Sequence, residues 1–268
     1  PPLFISFAGS PASGKSYFLA TMTWELRRLF PRIGFTFTDA DPVANVHIQT
    51  NEHTLFMNSS SHVPTEIPKT QTDDPRLHKN IMIDNVPIRF PIPLQFTLWP
   101  THENTNQDKS GRLVVLYDNA GEDFLPSMEE SSSAVIRHLA QSKILMMMFD
   151  PTQDVRFKSQ YASQDTQPSY GIQPGYQSDT IMVRQETLLR QMAVKIRTYL
   201  KIPQSKRVQT PLIIILPKFD VWSKITDISI DQEPYKKDTE TGCFEMNLSL
   251  VEDNSNKLKL LLNKYCPE

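Results

Sequence analysis

The sequence predicts an α/β protein in which a mostly parallel sheet is covered by helices on both faces. Short apolar runs recur along the chain, at residues 3–8, 113–117, 143–150 and 212–216. Each is strand-length and lacks the alternation of a half-exposed strand, which reads as burial on both faces. Segments with helical spacing separate them, and strands alternating with helices give parallel crossovers. The whole of residues 1–268 is read as a single domain, within the size range of one hydrophobic core.

In order, residues 3–8 form the first strand, ending at a Gly-rich turn. Residues 16–30 carry Phe18, Leu19, Met22, Leu26, Leu29 and Phe30 at helical spacing, and Pro31 closes the helix. A short strand is expected at 34–38. A second helix should begin at Asp41-Pro42, with Val43, Val46, Leu55 and Phe56 as its apolar stripe. Residues 58–79 read as a long polar loop, followed by strands at 86–90 and 94–99 and a polar linker at 101–111. After the strand at 113–117, residues 131–142 form a helix with Val135, Ile136 and Leu139 inward. Residues 151–179, rich in Gln, Ser, Tyr, Gly and Pro, are expected to be a mobile insertion. A helix at 183–200 faces inward through Leu188, Leu189, Met192, Ile196 and Leu200. A fully buried strand at 212–216 and a last helix at 257–265 complete the series.

Composition excludes several classes. With 39% hydrophobic and 22% charged residues the chain suits a water-exposed globular domain. A formal net charge of -2 gives no electrostatic case for nucleic acid or an anionic membrane. No apolar run approaches the roughly 20 residues needed to span a bilayer. Cys243 and Cys266 make neither a metal-ligand spacing nor a disulfide framework, so a reducing cytoplasm is the expected compartment. The chain begins Pro1-Pro2-Leu3-Phe4, without an initiator methionine or a signal peptide, and reads as a domain separated from upstream sequence.

Three motifs carry chemistry. Gly9-Ser10-Pro11-Ala12-Ser13-Gly14-Lys15-Ser16 fits G-x-x-x-x-G-K-S, follows a strand and opens a helix. Glycine lets the main chain approach phosphate oxygens, and successive amides at a helix start supply positive potential. Lys15 is placed to reach the terminal phosphates and Ser16 to ligate Mg2+. Tyr17 continues this segment into the helix. The second motif is Asp118-Asn119-Ala120-Gly121-Glu122 after the strand at 113–117. There Asp118 would hold Mg2+ through water. Gly121 would offer its amide to the terminal phosphate, a contact specific to a triphosphate. The third is Pro217-Lys218-Phe219-Asp220 after the strand at 212–216. Asp220 is placed to accept from the paired donors of a guanine edge, which adenine lacks, while the Lys218 stem packs along the base.

In this order the motifs resemble those of the Ras-like, translation-factor-related GTPase superfamily, with its bacterial double-GTPase group as the nearest look-alike. The resemblance runs from Leu3 to about Tyr265. It implies a three-layer P-loop NTPase fold with one antiparallel edge strand. It also implies GTP or GDP with Mg2+ as ligands, and a switch read by a protein effector or by neighbouring domains. A switch threonine, Thr65 or Thr70, would join Ser16 and Asp118 at the metal, with Thr70 the preferred candidate. Where Ras-like enzymes carry a water-orienting Gln, this chain has Glu122, whose charge beside the terminal phosphate predicts slow hydrolysis. Arg137, Arg156 and Arg184 are candidates to support the transition state. Pro217 departs from the usual Asn or Thr. The superfamily's final strand has no counterpart before Glu268, unless residues 242–250 substitute. Two other functions fit the same residues: an ATP-using P-loop enzyme, and a nucleotide-loaded scaffold with little catalysis.

Overall fold

The computed structural model describes residues 2–57, 66–67, 78–83, 86–101, 111–119, 132–161, 185–240 and 244–266. Six strands form one sheet: β1 (Leu3–Gly9), β2 (Phe35–Asp39), β5 (Leu94–Pro100), β6 (Arg112–Asp118), β7 (Ile144–Met148) and β8 (Leu212–Ile215). Their lateral order is β2-β5-β6-β1-β7-β8. β3 (His78–Ile83) and β4 (Val86–Pro91) pair as a separate antiparallel hairpin, as do β9 (Tyr235–Lys237) and β10 (Phe244–Met246). The sheet is mostly parallel: β1 pairs in parallel with β6 and β7, and β7 with β8.

The helices are α1 (Lys15–Leu29), α2 (Val46–Phe56), α3 (Ser132–Gln141), α4 (Val155–Tyr161), α5 (Gln185–Leu200), α6 (Phe219–Trp222) and α7 (Leu248–Tyr265). Alternation along β1 sorts them onto two faces. Ile5 and Phe7 face a core shared with Leu19 and Ala20 of α1, Ile48 of α2, and Phe37, Phe96 and Leu116 of the sheet. Ala8 faces the opposite core, with Leu139 of α3, Leu145 and Met147 of β7, and Leu188, Met192 and Ile196 of α5. A third cluster of Phe149, Phe157, Trp222 and Leu261 gathers α4, α6 and α7.

Four expectations need correction. The antiparallel strand is β5, which opposes both β2 and β6, so it lies one position in from the edge. The edge strand β2 follows a helical crossover and therefore runs in the direction of β6. The second helix starts at Val46 rather than at Pro42, because the Asp41 carboxylate accepts from the amides of Val43 and Ala44 and closes a turn instead. Its buried residues are Ile48 and Glu52, while Val43 is 83% exposed. Glu52 is buried because Thr23 donates to it at 2.5 Å and Arg27 lies 3.5 Å away. Residues 151–161 are ordered, since Phe157 is fully buried between Phe149 and Tyr265. The rest of the expected insertion, like Cys243, lies outside the described residues. Finally, β8 is an edge strand, with Leu212, Ile213 and Ile214 about two-fifths exposed. An apolar run signals that a strand can be buried, but its lateral place in the sheet is set by distant partners.

Asn45 holds the edge of the sheet in place of a strand residue. Its side chain donates to Asp39 at 2.6 Å and to the Gln95 carbonyl at 2.7 Å, and accepts from the Gln95 amide at 2.8 Å. It is fully buried. Asn45→Ala should therefore lower the unfolding free energy by about 1–3 kcal/mol in urea melts, because it takes the acceptor from the Gln95 amide, while the Gln95 carbonyl keeps the Ala40 amide at 2.9 Å. A loss under about 0.5 kcal/mol, the range of ordinary surface substitutions, would refute this role. Among the described residues no helix is long and apolar enough to cross a membrane.

Candidate functional site

β1, β6, β7 and β8 are parallel, so their carboxyl ends share one edge of the sheet. The chain leaves β1 toward α1 on one face and reaches β7 through α3 on the other. A crevice at such a divergence is where open α/β sheets place ligands. The loop from Gly9 to Ser16 emerges there. Gly9 is forced by packing: a Cβ would lie 2.8 Å from the Met148 Cβ and 3.0 Å from the Met148 carbonyl oxygen. Ala12 and Gly14 adopt left-handed backbone, with φ of 58° and 90°. For Ala12 this conformation is uncommon, and strained backbone of this kind gathers at functional sites. Nothing lies within 4 Å of a Cβ placed on Gly14.

Gly14 caps α1 without a side-chain hydrogen bond, and α1 has no acidic residue in its first turn. The positive end of a 15-residue helix is thus left without a carboxylate of its own. Lys15 is half-buried and donates to the Gly9 carbonyl at 3.2 Å, folding its ammonium back over the loop. Ser16 and Tyr17 continue the first turn. The Tyr17 hydroxyl accepts from the Ile67 amide at 2.9 Å, and Ile67 is buried in the core beneath α1 and α2. This ties Ile67 to the residue next to Ser16.

Asp118 ends β6 in register with Phe7 of β1. Among the described residues its Oδ1 is buried without a hydrogen-bond partner, as are Ser13 Oγ and Asn119 Oδ1. Desolvation holds the Asp118 carboxyl above its ordinary range, and the charge of Lys15 works in the opposite direction. The fold thus brings Lys15 within electrostatic reach of Asp118. Asn119 secures this corner: its amide nitrogens, main chain at 3.2 Å and side chain at 2.8 Å, both donate to the Phe7 carbonyl.

At the end of β8, Lys218 has left-handed backbone, φ 58°, and caps the four-residue α6. Its ammonium donates to Asp150 at 2.7 Å and to Thr152 at 3.2 Å. Asp220 is exposed. The Pro217 carbonyl accepts from the Trp222 indole at 2.7 Å, so Trp222, fully buried, fixes the turn. Gly121, Glu122, Thr65, Thr70 and Arg184 lie outside the described residues. Arg137 is exposed on α3. Arg156 is committed elsewhere: it pairs with Asp154 at 2.8 Å and with Glu186. Asp154, Glu186 and Cys266 converge around it, and this guanidinium accounts for the cluster.

Sequence reading missed the residues that brace the loop. Ser10 donates to Gln153 at 2.7 Å, and the Gln153 amide donates to the Pro11 carbonyl at 3.0 Å. Gln185 accepts from Ser10 at 3.4 Å and from the Asp150 amide at 2.7 Å, and donates to the Asp150 carbonyl at 2.9 Å. No local signal marks a glutamine as a brace of the loop, because its partners there, Ser10 and Pro11, are over a hundred residues away along the chain.

Chemically, this edge of the sheet offers a helix start without a side-chain cap and an ammonium suited to a polyanion. It also offers a carboxylate with an unpaired oxygen, suited to a hard divalent cation. No family model, curated protein or solved structure matches the chain.

Proposed function

We propose that the chain binds GTP with Mg2+ at this crevice and hydrolyses it slowly to GDP and phosphate. In this reading it is a conformational switch sensed by a protein effector or by neighbouring domains. One observation carries the reading. The G-x-x-x-x-G-K-S loop lies at the uncapped start of α1, beside Asp118 and its unpaired Oδ1. The residues fit the implied ligands. Main-chain amides of residues 13–16 and the Lys15 ammonium would hold the phosphates. Ser16 and Asp118 would hold the cation, with Thr70 the further candidate. Bound Mg2+ would neutralise charge on the phosphate oxygens.

Lys218 and Asp220 supply the base side. The Asp220 carboxylate is exposed at the same sheet edge and suits the two donors of a guanine ring. Glu122, following the Asp118 motif, supports slow turnover, because its negative charge opposes the charge developing on the phosphoryl oxygens.

Calorimetric titration of the full chain with GTP, GDP and ATP, with and without Mg2+, tests this. The expected order is GTP and GDP tight and ATP weaker by at least about tenfold, with GTP affinity dependent on Mg2+. Equal affinity for ATP and GTP would overturn the guanine assignment. Absence of binding by all three would overturn the nucleotide reading.

A further inference from the structure

The Asp150–Lys218 pair connects the Lys218 motif, by way of Gln185, to the loop at residues 9–16, and neither spacing nor motif order points to Asp150. Its carboxylate is fully buried at the end of β7. A buried carboxylate is costly unless paired and hydrogen-bonded, and here both oxygens are engaged. Oδ1 accepts from the Thr152 amide at 2.9 Å and hydroxyl at 2.7 Å, and Oδ2 accepts from Lys218 at 2.7 Å. Thr152 Oγ1 also accepts from Lys218 at 3.2 Å, so carboxylate, hydroxyl and ammonium form a closed triangle. Gln185 grips both main-chain groups of Asp150 and touches Ser10 of the phosphate loop. The position of Lys218 is therefore referenced to the phosphate loop through a buried, fully bonded group rather than through its own flexible stem.

We infer that Asp150 is a positioning residue that sets Lys218 against the base of bound nucleotide. It rests on the nucleotide reading above and adds a residue to it. Lysine has four rotatable side-chain bonds, and its left-handed backbone at 218 directs the stem only roughly. A charge-assisted bond to a buried anchor removes most of that freedom before a ligand arrives. Asp150 touches no part of the phosphate loop with its carboxylate, so its loss should affect the base side alone.

The first test needs no nucleotide. Thermal melts of the full chain compare Lys218→Gln, Asp150→Asn and the double variant. Lys218→Gln leaves the Asp150 carboxylate buried without its cation and should lower Tm. Adding Asp150→Asn, which removes that charge, should recover most of the loss. Additive losses would overturn the pair.

The second test titrates wild type and Asp150→Asn with GTP and with inorganic tripolyphosphate. GTP affinity should fall about tenfold while tripolyphosphate affinity stays unchanged. Equal losses for both probes would make Asp150 a general brace of the sheet edge and overturn the assignment, as would unchanged GTP affinity. A wild-type chain that binds neither probe would overturn the nucleotide reading and this assignment with it. The melts would still report whether the ion pair exists.

Discussion

Lys15→Ala is expected to weaken GTP binding by at least about 100-fold while the chain stays folded. Two charge-assisted contacts to phosphate, each worth about 1.5–3 kcal/mol, set that scale. The structure explains why the fold should survive. Lys15 is half-buried, and its one hydrogen bond among the described residues is a 3.2 Å contact to the Gly9 carbonyl, so its removal leaves no described buried donor stranded. The loop keeps its shape through Gly9 against Met148, the left-handed backbone at Ala12 and Gly14, and the Ser10 bonds to Gln153 and Gln185. Calorimetry should show the affinity loss, and a thermal melt of the unliganded protein should shift by no more than about 2–4 °C. Undiminished affinity for GTP would remove the basis of the proposed function.

Asp118→Asn is expected to separate stability from binding. The carboxylate has a buried oxygen to which no group among the described residues donates. Burial raises its pKa above the ordinary 3.8. The sign follows from linkage. A carboxyl with a raised folded-state pKa holds its proton more tightly when folded than when unfolded. Its contribution to stability is fullest below the ordinary value and is lost as pH rises through the raised one. Asparagine carries no charge to desolvate. The Mg2+-free, nucleotide-free variant should therefore melt about 2–8 °C above wild type at pH 7, corresponding to about 1–2 kcal/mol, with the gap closing toward pH 4. In the same variant the Mg2+-dependent part of GTP affinity should disappear. A variant less stable than wild type at pH 7 would show that the carboxylate is well accommodated without a cation. Persisting Mg2+ dependence would place the metal elsewhere.

Much of the placement of the candidate site's motifs on strands and helices was legible because it depends on local order. A strand, a G-x-x-x-x-G-K-S turn and a helix are contiguous, and their geometry follows from φ freedom at Gly14 and from the apolar faces of β1 and α1. The same holds for Asp118 at the end of β6 and Lys218 at the end of β8. What was misread depended on partners remote in sequence. The stripe assigned to α2 held at Leu55, which packs on the core, and failed at Val43 and Val46, while the buried Glu52 is tolerated because Thr23 and Arg27 stand beside it. The run at 212–216 looked interior, yet among the described residues β8 has β7 on one side and no strand of the sheet on the other.

Sequence alone determined the α/β class, the alternation of elements and the strand–turn–helix setting of residues 9–16, since periodicity and turn chemistry act over a few residues. Tertiary structure alone decided that β5, rather than an edge strand, runs antiparallel, and that Gln153 and Gln185 brace the loop. It also decided that Asp150 receives Lys218 and that Asp118 carries an unpaired oxygen. Each of these depends on which distant strand ends lie side by side and on which polar atoms are cut off from water there. Such facts arise only when the sheet is assembled and its two faces are covered.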